Sequence, residues 1–170
     1  MSRFRPPVRR VKAGYVLHLD RDEVDLLRRL FAELRGLLTD APADDVDPET
    51  ATRVGALTTR LFPPAHSDDP DQEAEYQRLM RDELVSSRLA AIDTVESVLG
   101  PTKPLPEPDV VAFMQSVNAL RLVLGTMLGV DDGGEPDDDG VAAELHDAPE
   151  YHLYGYLSWL LEWTVRALSS

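Results

Sequence analysis

The sequence predicts a mainly α-helical protein, a bundle-like domain of about five helices with a small β-hairpin near its N-terminus. Long stretches repeat apolar residues at three- and four-residue steps, Asp-Pro pairs precede two of them, and proline- or glycine-rich segments separate them. The chain has 170 residues, of which 43% are hydrophobic. Since a chain of about 150 residues buries roughly two-thirds of its unfolded surface, we expect one domain over residues 1–170.

The N-terminal segment predicts a basic arm and then a hairpin. Residues 1–12 carry five basic side chains and no acidic one, namely Arg3, Arg5, Arg9, Arg10 and Lys12. We expect residues 1–7 to form a flexible arm. Two β-prone runs within residues 8–19 flank Gly14, which accepts a positive φ and therefore permits a tight turn.

Five periodic segments predict the helices. Asp20 and Glu23 have the spacing of a capping box, and Asp-Pro suits the N-cap and first position of the second and third helices. The fourth segment is apolar nearly all round, as expected for the centre of a bundle. We expect helices from near residue 20 to 39, and at residues 47–61, 69–99, 109–128 and 149–168. The acidic residues 131–140 predict a mobile loop.

Charge and composition exclude several classes of function. The formal net charge is −14, which repels nucleic acid, although the basic arm is able to contact DNA, RNA or an acidic partner. A solvated N-terminus is the other interpretation of the arm. The chain has no cysteine, which excludes disulfides, thiol catalysis and thiolate metal sites. No apolar stretch follows the N-terminal charges as in a secretory signal, so we expect a cytoplasmic protein.

The segment Val110–Val130 is long enough to cross a membrane. However, Arg121 lies near its centre, where an arginine costs about 2.5–3.5 kcal/mol. We therefore interpret it as a buried central helix. Within it, Gly125 is expected to allow close approach of a neighbouring helix, and Gly129 to end its own helix.

No pattern of a catalytic, cofactor or metal site stands out. His146, Asp147, Glu150 and His152 are metal-ligand types, but their spacing fits no zinc pattern. Most carboxylates lie in linkers, where water keeps them ionised, and there is no glycine-rich phosphate loop. We expect no enzyme activity, no cofactor and no metal.

Two sets of residues are candidates for structure or binding. Tyr156, Trp159 and Trp163 share one face of the last helix, which favours either a core position or an interface, including self-association. Arg121, with Asn118 three residues before it, is expected in a polar part of the core. There Arg121 needs a partner such as Glu75 or Asp69, unless it forms an anion or partner site.

Three stretches together resemble a known family: Leu61–Leu79, Asn118–Gly129 and Tyr154–Leu168. The most specific run is Asn-x-Leu-Arg-Leu-x-Leu-Gly, which begins at Asn118. The chain is similar, over most of its length, to an actinobacterial family labelled a domain of unknown function, the AosR-like oxidative-stress regulators.

This resemblance implies a non-enzymatic regulator of redox-responsive transcription, which acts with an extracytoplasmic-function sigma factor. The sensing member uses a cysteine pair, which this chain lacks, so either the stimulus differs or binding is constitutive. We therefore expect a protein partner, a sigma factor or RNA polymerase, with homodimerisation as a further option. Other hypotheses are nucleic-acid binding through the arm, a proteostasis adaptor (family genes accompany a Clp adaptor gene), and an unrecognised enzyme.

Overall fold

The computed structural model describes residues 5–39, 61, 68–100, 102–129 and 148–170. They form two strands and four helices in the order β1 (Val8–Val11), β2 (Gly14–Leu17), α1 (Arg21–Thr39), α2 (Pro70–Val98), α3 (Glu107–Leu128) and α4 (Pro149–Leu168). The predicted mainly α class with a small hairpin is confirmed.

The described part of the chain holds four helices, where about five were expected. The predicted second helix at 47–61 lies outside the described residues except for Leu61, which is helical and buried. Residues 1–4 of the predicted arm and the predicted loop at 131–140 also lie outside them.

The hairpin is antiparallel, with Val8 opposite Leu17 and Val11 opposite Gly14. Gly14 has a φ of +129°, as the predicted turn requires. Tyr15 and Leu105 exchange two main-chain hydrogen bonds, Tyr15 N to Leu105 O at 2.9 Å and Leu105 N to Tyr15 O at 2.6 Å. These bonds dock the hairpin onto the segment that precedes α3.

Helix α1 begins with the predicted capping box. The Glu23 N–H donates to Asp20 Oδ1 at 2.9 Å, and the Asp20 N–H donates to Glu23 Oε2 at 2.8 Å. Both main-chain donors would otherwise lack a partner at the helix start. The helix buries Val24, Leu27, Phe31 and Leu34.

Helix α2 also starts as predicted, because the Asp69 carboxylate accepts hydrogen bonds from the N–H groups of Asp71 and Gln72. Its buried residues are confined to the C-terminal third of the helix: Ile92, Val95 and Val98. Arg35 of α1 ties the two helices together by donating to Asp93 Oδ1 at 2.6 Å and to Glu96 Oε2 at 2.9 Å.

Helix α3 starts at Glu107, two residues earlier than the predicted Asp109, because Pro108 fits the first helical turn. It ends at Gly129, whose φ of +68° is left-handed, as expected. By length and a mean hydropathy of 1.4 this helix could cross a membrane. It also contacts α1, α2, α4 and β2, and it buries residues from Val110 to Gly125, which is the pattern of a core helix.

Helix α4 packs mainly on α3 and on β1. It buries Leu157, Leu160, Thr164 and Ala167. Leu157, Leu160 and Ala167 join one apolar core with residues from the other three described helices and from the hairpin.

Candidate interaction surface

Arg121, Asn118 and Tyr154 form a polar cluster between α3 and α4. Arg121 Nη1 donates to Tyr154 Oη at 3.0 Å, while Nε and Nη2 each lie 3.4 Å from Asn118 Oδ1. The guanidinium carbon lies 5.8 Å from the centroid of the Tyr154 ring, within the range of a cation–π contact. All three residues are partly buried.

These partners of Arg121 differ from those suggested by the sequence. Arg121 bonds to Asn118 and Tyr154, whereas the sequence suggested Glu75 or Asp69 as its partner. Asn118 could be predicted as a neighbour of Arg121, because a spacing of three residues places both on the same helix face. Tyr154 was missed because it lies 33 residues away, on another helix. The one available signal was that it begins the third family-like stretch.

Gly125 lies one turn beyond Arg121 and meets the same tyrosine. A Cβ atom at Gly125 would lie 3.0 Å from Tyr154 Cε2, closer than side chains normally pack. The missing side chain therefore lets the Tyr154 ring lie against α3. The predicted close approach of a neighbouring helix at Gly125 is confirmed.

A groove of about 310 Å³ lies between α3 and α4 beside this cluster. It is lined by Arg121, Ser158, Leu161, Glu162, Val165 and Arg166. Val165 is 44% exposed although it is a large apolar residue. The groove thus combines an apolar wall with a charged rim, as protein interfaces do.

The predicted partner-binding residues Tyr156, Trp159 and Trp163 lie on the other flank of α4, by helical spacing. All three are partly buried. Tyr156 Oη donates to Glu23 Oε1 at 3.1 Å. Burial first, and then the Glu23 carboxylate, raise the pKa of the Tyr156 phenol well above its usual range. Tyr156 is therefore fixed to the start of α1.

The two tryptophans of this flank are also partly buried. Trp159 packs against the core, with its ring 6.0 Å from that of Tyr156. The guanidinium of Arg166 lies 5.3 Å from the Trp163 ring centroid and also pairs with Glu162. On this flank, Tyr156 and Trp159 therefore pack against the core. Trp163 lies beside the ion pair of Arg166 and Glu162.

Two of the stretches that carry the family resemblance thus meet in space: Arg121 and Gly125 of the second stretch lie against Tyr154 of the third, and Asn118 accepts from Arg121. The sequence model of a family described as a domain of unknown function, DUF2017, matches residues 1–168. The chain belongs to this family.

A similar protein from Mycobacterium leprae (strain TN) is named as a candidate oxidative stress regulator, AosR. It is 29% identical to this DUF2017 chain over 174 residues, which cover 86% of this chain and 78% of the relative. No solved structure matches the chain significantly.

The basic residues predicted as an arm lie largely on the hairpin of this DUF2017 protein. Arg3 is outside the described residues, whereas Arg5, Arg9, Arg10 and Lys12 are exposed. Arg9 and Arg10 are adjacent in β1, so their side chains leave opposite faces of the hairpin. Arg10 donates to the Ser170 main-chain oxygen and lies 5.9 Å from the Tyr15 ring centroid.

Arg5 and Arg9 act together on His18, which follows β2. Burial lowers the pKa of His18, and the positive charges of these two arginines lower it further. Both cations therefore act on the same side chain, His18. Arg10, which is held at Ser170, is less available to a partner.

Within the described ranges, no group of three or more His, Cys, Asp or Glu side chains is arranged to hold a metal ion. Of the four metal-ligand types noted near the start of α4, His146 and Asp147 lie outside those ranges. Glu150 and His152 are both exposed.

Proposed function

We propose that this DUF2017 protein is a non-enzymatic regulator in the oxidative stress response and that it acts by binding another protein. Membership of the family, together with the name of the M. leprae relative, supports this proposal. The chain has no cysteine, so its response does not use a thiol of its own.

The proposed partner is a sigma factor or a subunit of RNA polymerase in the cytoplasm. The net charge of −14 favours a partner with a basic surface. Trp163 with Arg166 over its ring, and Trp159 beside it, supply the residue types that most often dominate binding energy at interfaces. We assign the contact to this flank of α4.

Crosslinking in the native cell, with and without peroxide, tests this proposal. The full chain carries an affinity tag, and mass spectrometry identifies the crosslinked proteins. We expect a sigma factor or polymerase subunit, with crosslinks near α4. Recovery of no transcription component under either condition would argue against the proposal.

A pair of variants tests the assigned surface. Trp163→Ala should weaken binding of the partner by about thirtyfold, since truncating a hot-spot residue costs about 2 kcal/mol and about 1.4 kcal/mol is a factor of ten. Leu79→Ala, which truncates an apolar side chain that is 64% exposed on α2, is the matched control and should leave recovery unchanged. Light scattering of both variants also shows whether the chain self-associates through Trp163.

A second candidate function is nucleic-acid binding by the hairpin, because Arg5 and Arg9 lie close enough together to shift the same histidine. A gel shift with duplex DNA at several salt concentrations tests it. Each phosphate contact contributes about −0.9 to the slope of log K, the binding constant, against the logarithm of the salt concentration. Joint replacement of Arg5 and Arg9 by Ser should lower that slope by about 2. The same replacements at Arg78 and Arg81, which are exposed on α2, should leave this slope unchanged.

A further inference from the structure

A cavity of about 300 Å³ lies between α1, α2 and α3. Apolar side chains form much of its wall, notably Leu34, Leu84 and Ile92. Pockets for small molecules begin at about this size and combine an apolar wall with a few polar groups. None of the described residues that line the cavity belongs to α4, so the interaction surface proposed above leaves it unused.

Ser116 is the buried hydroxyl in the wall of this cavity. It is 3% exposed, and its Oγ makes no hydrogen bond within the described part of the chain. A helical hydroxyl commonly donates to the carbonyl one turn earlier, as Thr126 does to Leu122 O at 2.9 Å and Thr164 does to Leu160 O at 2.7 Å. Because a buried hydroxyl without a partner is costly and uncommon, Ser116 points to a group that binds in the cavity.

The charge of the cavity is already used by the protein. Arg88 is the one ionisable side chain among the described residues of the lining. Its Nη2 donates to Leu61 O at 2.5 Å, and the side chain has a further interaction within the chain. A charged ligand would therefore lose its water without gaining an ion pair, which is costly. The lining thus favours a neutral ligand.

We propose that this cavity binds a small neutral molecule that carries one hydroxyl or carbonyl group on an apolar body. The polar group forms the hydrogen bond that Ser116 Oγ lacks, because a serine hydroxyl donates to either group and also accepts from a hydroxyl. The apolar body contacts Leu34, Leu84 and Ile92. Binding of this molecule does not depend on the function proposed above.

Phenol and toluene test the proposal without any partner protein. The two probes have nearly the same shape, and only phenol carries a hydroxyl group. Each is titrated into the isotope-labelled full chain and followed by amide NMR. We expect saturable shifts that centre on the cavity residues of α2 and α3.

Ser116→Ala isolates the hydrogen bond. It should weaken the binding of phenol about fivefold, since one neutral hydrogen bond contributes about 1 kcal/mol. Toluene cannot form this bond and should bind the variant at least as tightly as the parent chain. The opposite responses separate the hydrogen bond from a change in cavity shape. The variant loses an unpaired hydroxyl and should fold normally, which its amide spectrum shows.

A second pair of variants locates the bound probe. Ser87 lines the cavity, and Ser87→Leu should weaken both probes about fivefold or more, because overfilling a site costs about 1 kcal/mol or more. Ser86→Leu makes the same change at the neighbouring exposed position, which is not part of the lining. It should leave the binding of both probes unchanged.

The proposal is overturned if phenol causes no saturable shift, or if Ser116→Ala weakens neither probe or weakens both equally. Equal affinity of Ser87→Leu and Ser86→Leu for phenol would place the probe outside the cavity and would also overturn it. So would a crystal structure grown with phenol in which an ordered water alone bonds to Ser116 Oγ, since polar cavities also hold water.

Discussion

Tyr154 approaches α3 at a position where α3 carries no side chain. Ring carbon Cε2 lies 3.0 Å from the position that a Cβ of Gly125 would take, and the Tyr154 hydroxyl accepts from Arg121, one turn before Gly125 in α3. The glycine thus sets the distance at which the polar cluster forms. Helix propensity favours alanine over glycine by about 1 kcal/mol, so the glycine costs stability within α3 and is compensated by this contact.

Two glycine variants separate these effects. Gly155→Ala meets no atom within 4 Å, so it should raise the free energy of unfolding by about 0.5–1 kcal/mol through helix propensity alone. Gly125→Ala gains the same propensity but displaces the Tyr154 ring. We expect it to be at least about 1 kcal/mol less stable than Gly155→Ala, because forced packing costs about 1–3 kcal/mol. Urea denaturation measures both.

The control is the same pair of variants in a Tyr154→Ala background. With the ring gone, Gly125→Ala should become as stabilising as Gly155→Ala. If Gly125→Ala stabilises the parent chain fully, the ring moves aside at no cost, and the glycine has no role in spacing the two helices.

The sequence predicts features whose causes lie within a few residues. The capping box of Asp20 and Glu23, the Asp69 cap and the stop at Gly129 are local, and each is present in the structure. Contacts between elements that are distant in sequence were harder to predict. The pairing of Tyr154 with Arg121 and the cavity of about 300 Å³ that Ser116 lines between α1, α2 and α3 depend on how separate helices pack, which periodicity does not determine.

At the scale of elements, the hairpin is the smallest unit and depends on one close approach. Two-stranded hairpins are only marginally stable alone, and here Tyr15 bonds to Leu105 on the segment before α3. A Cβ at Gly14 would lie 2.3 Å from the Leu105 carbonyl oxygen. That oxygen belongs to the main chain and cannot move aside as a side chain does.

Gly14→Ala should therefore detach the hairpin, whereas Gly100→Ala should not detach any element. Both glycines have a positive φ, +129° and +113°, so both variants suffer backbone strain of about 1–3 kcal/mol. Only Gly14→Ala also collides with main chain. We expect it to lose at least about 1 kcal/mol more in urea denaturation and to lose hydrogen-exchange protection at Tyr15 and Leu105. Equal losses would show that φ strain alone accounts for the stability lost in Gly14→Ala.

At the scale of the whole molecule, charge opposes folding. The excess carboxylates that give the net charge of −14 repel one another more strongly in the compact state than in the unfolded chain. Specific ion pairs act in the other direction, chiefly Arg35 with Asp93 and Glu96. The Asp93 side chain is 66% exposed and that of Glu96 is 38% exposed, so water screens both pairs and each contributes no more than about 1 kcal/mol.

Salt should therefore stabilise this protein. Between about 0.02 M and about 0.5 M NaCl the screening length falls from roughly 20 Å to roughly 4 Å. This change suppresses the repulsion between distant carboxylates, and we expect the urea midpoint to rise. Arg35→Met removes the ion pairs that salt weakens, so its midpoint should start lower and rise more steeply with salt. A midpoint that falls with salt in the parent chain would show that the local ion pairs outweigh the net repulsion.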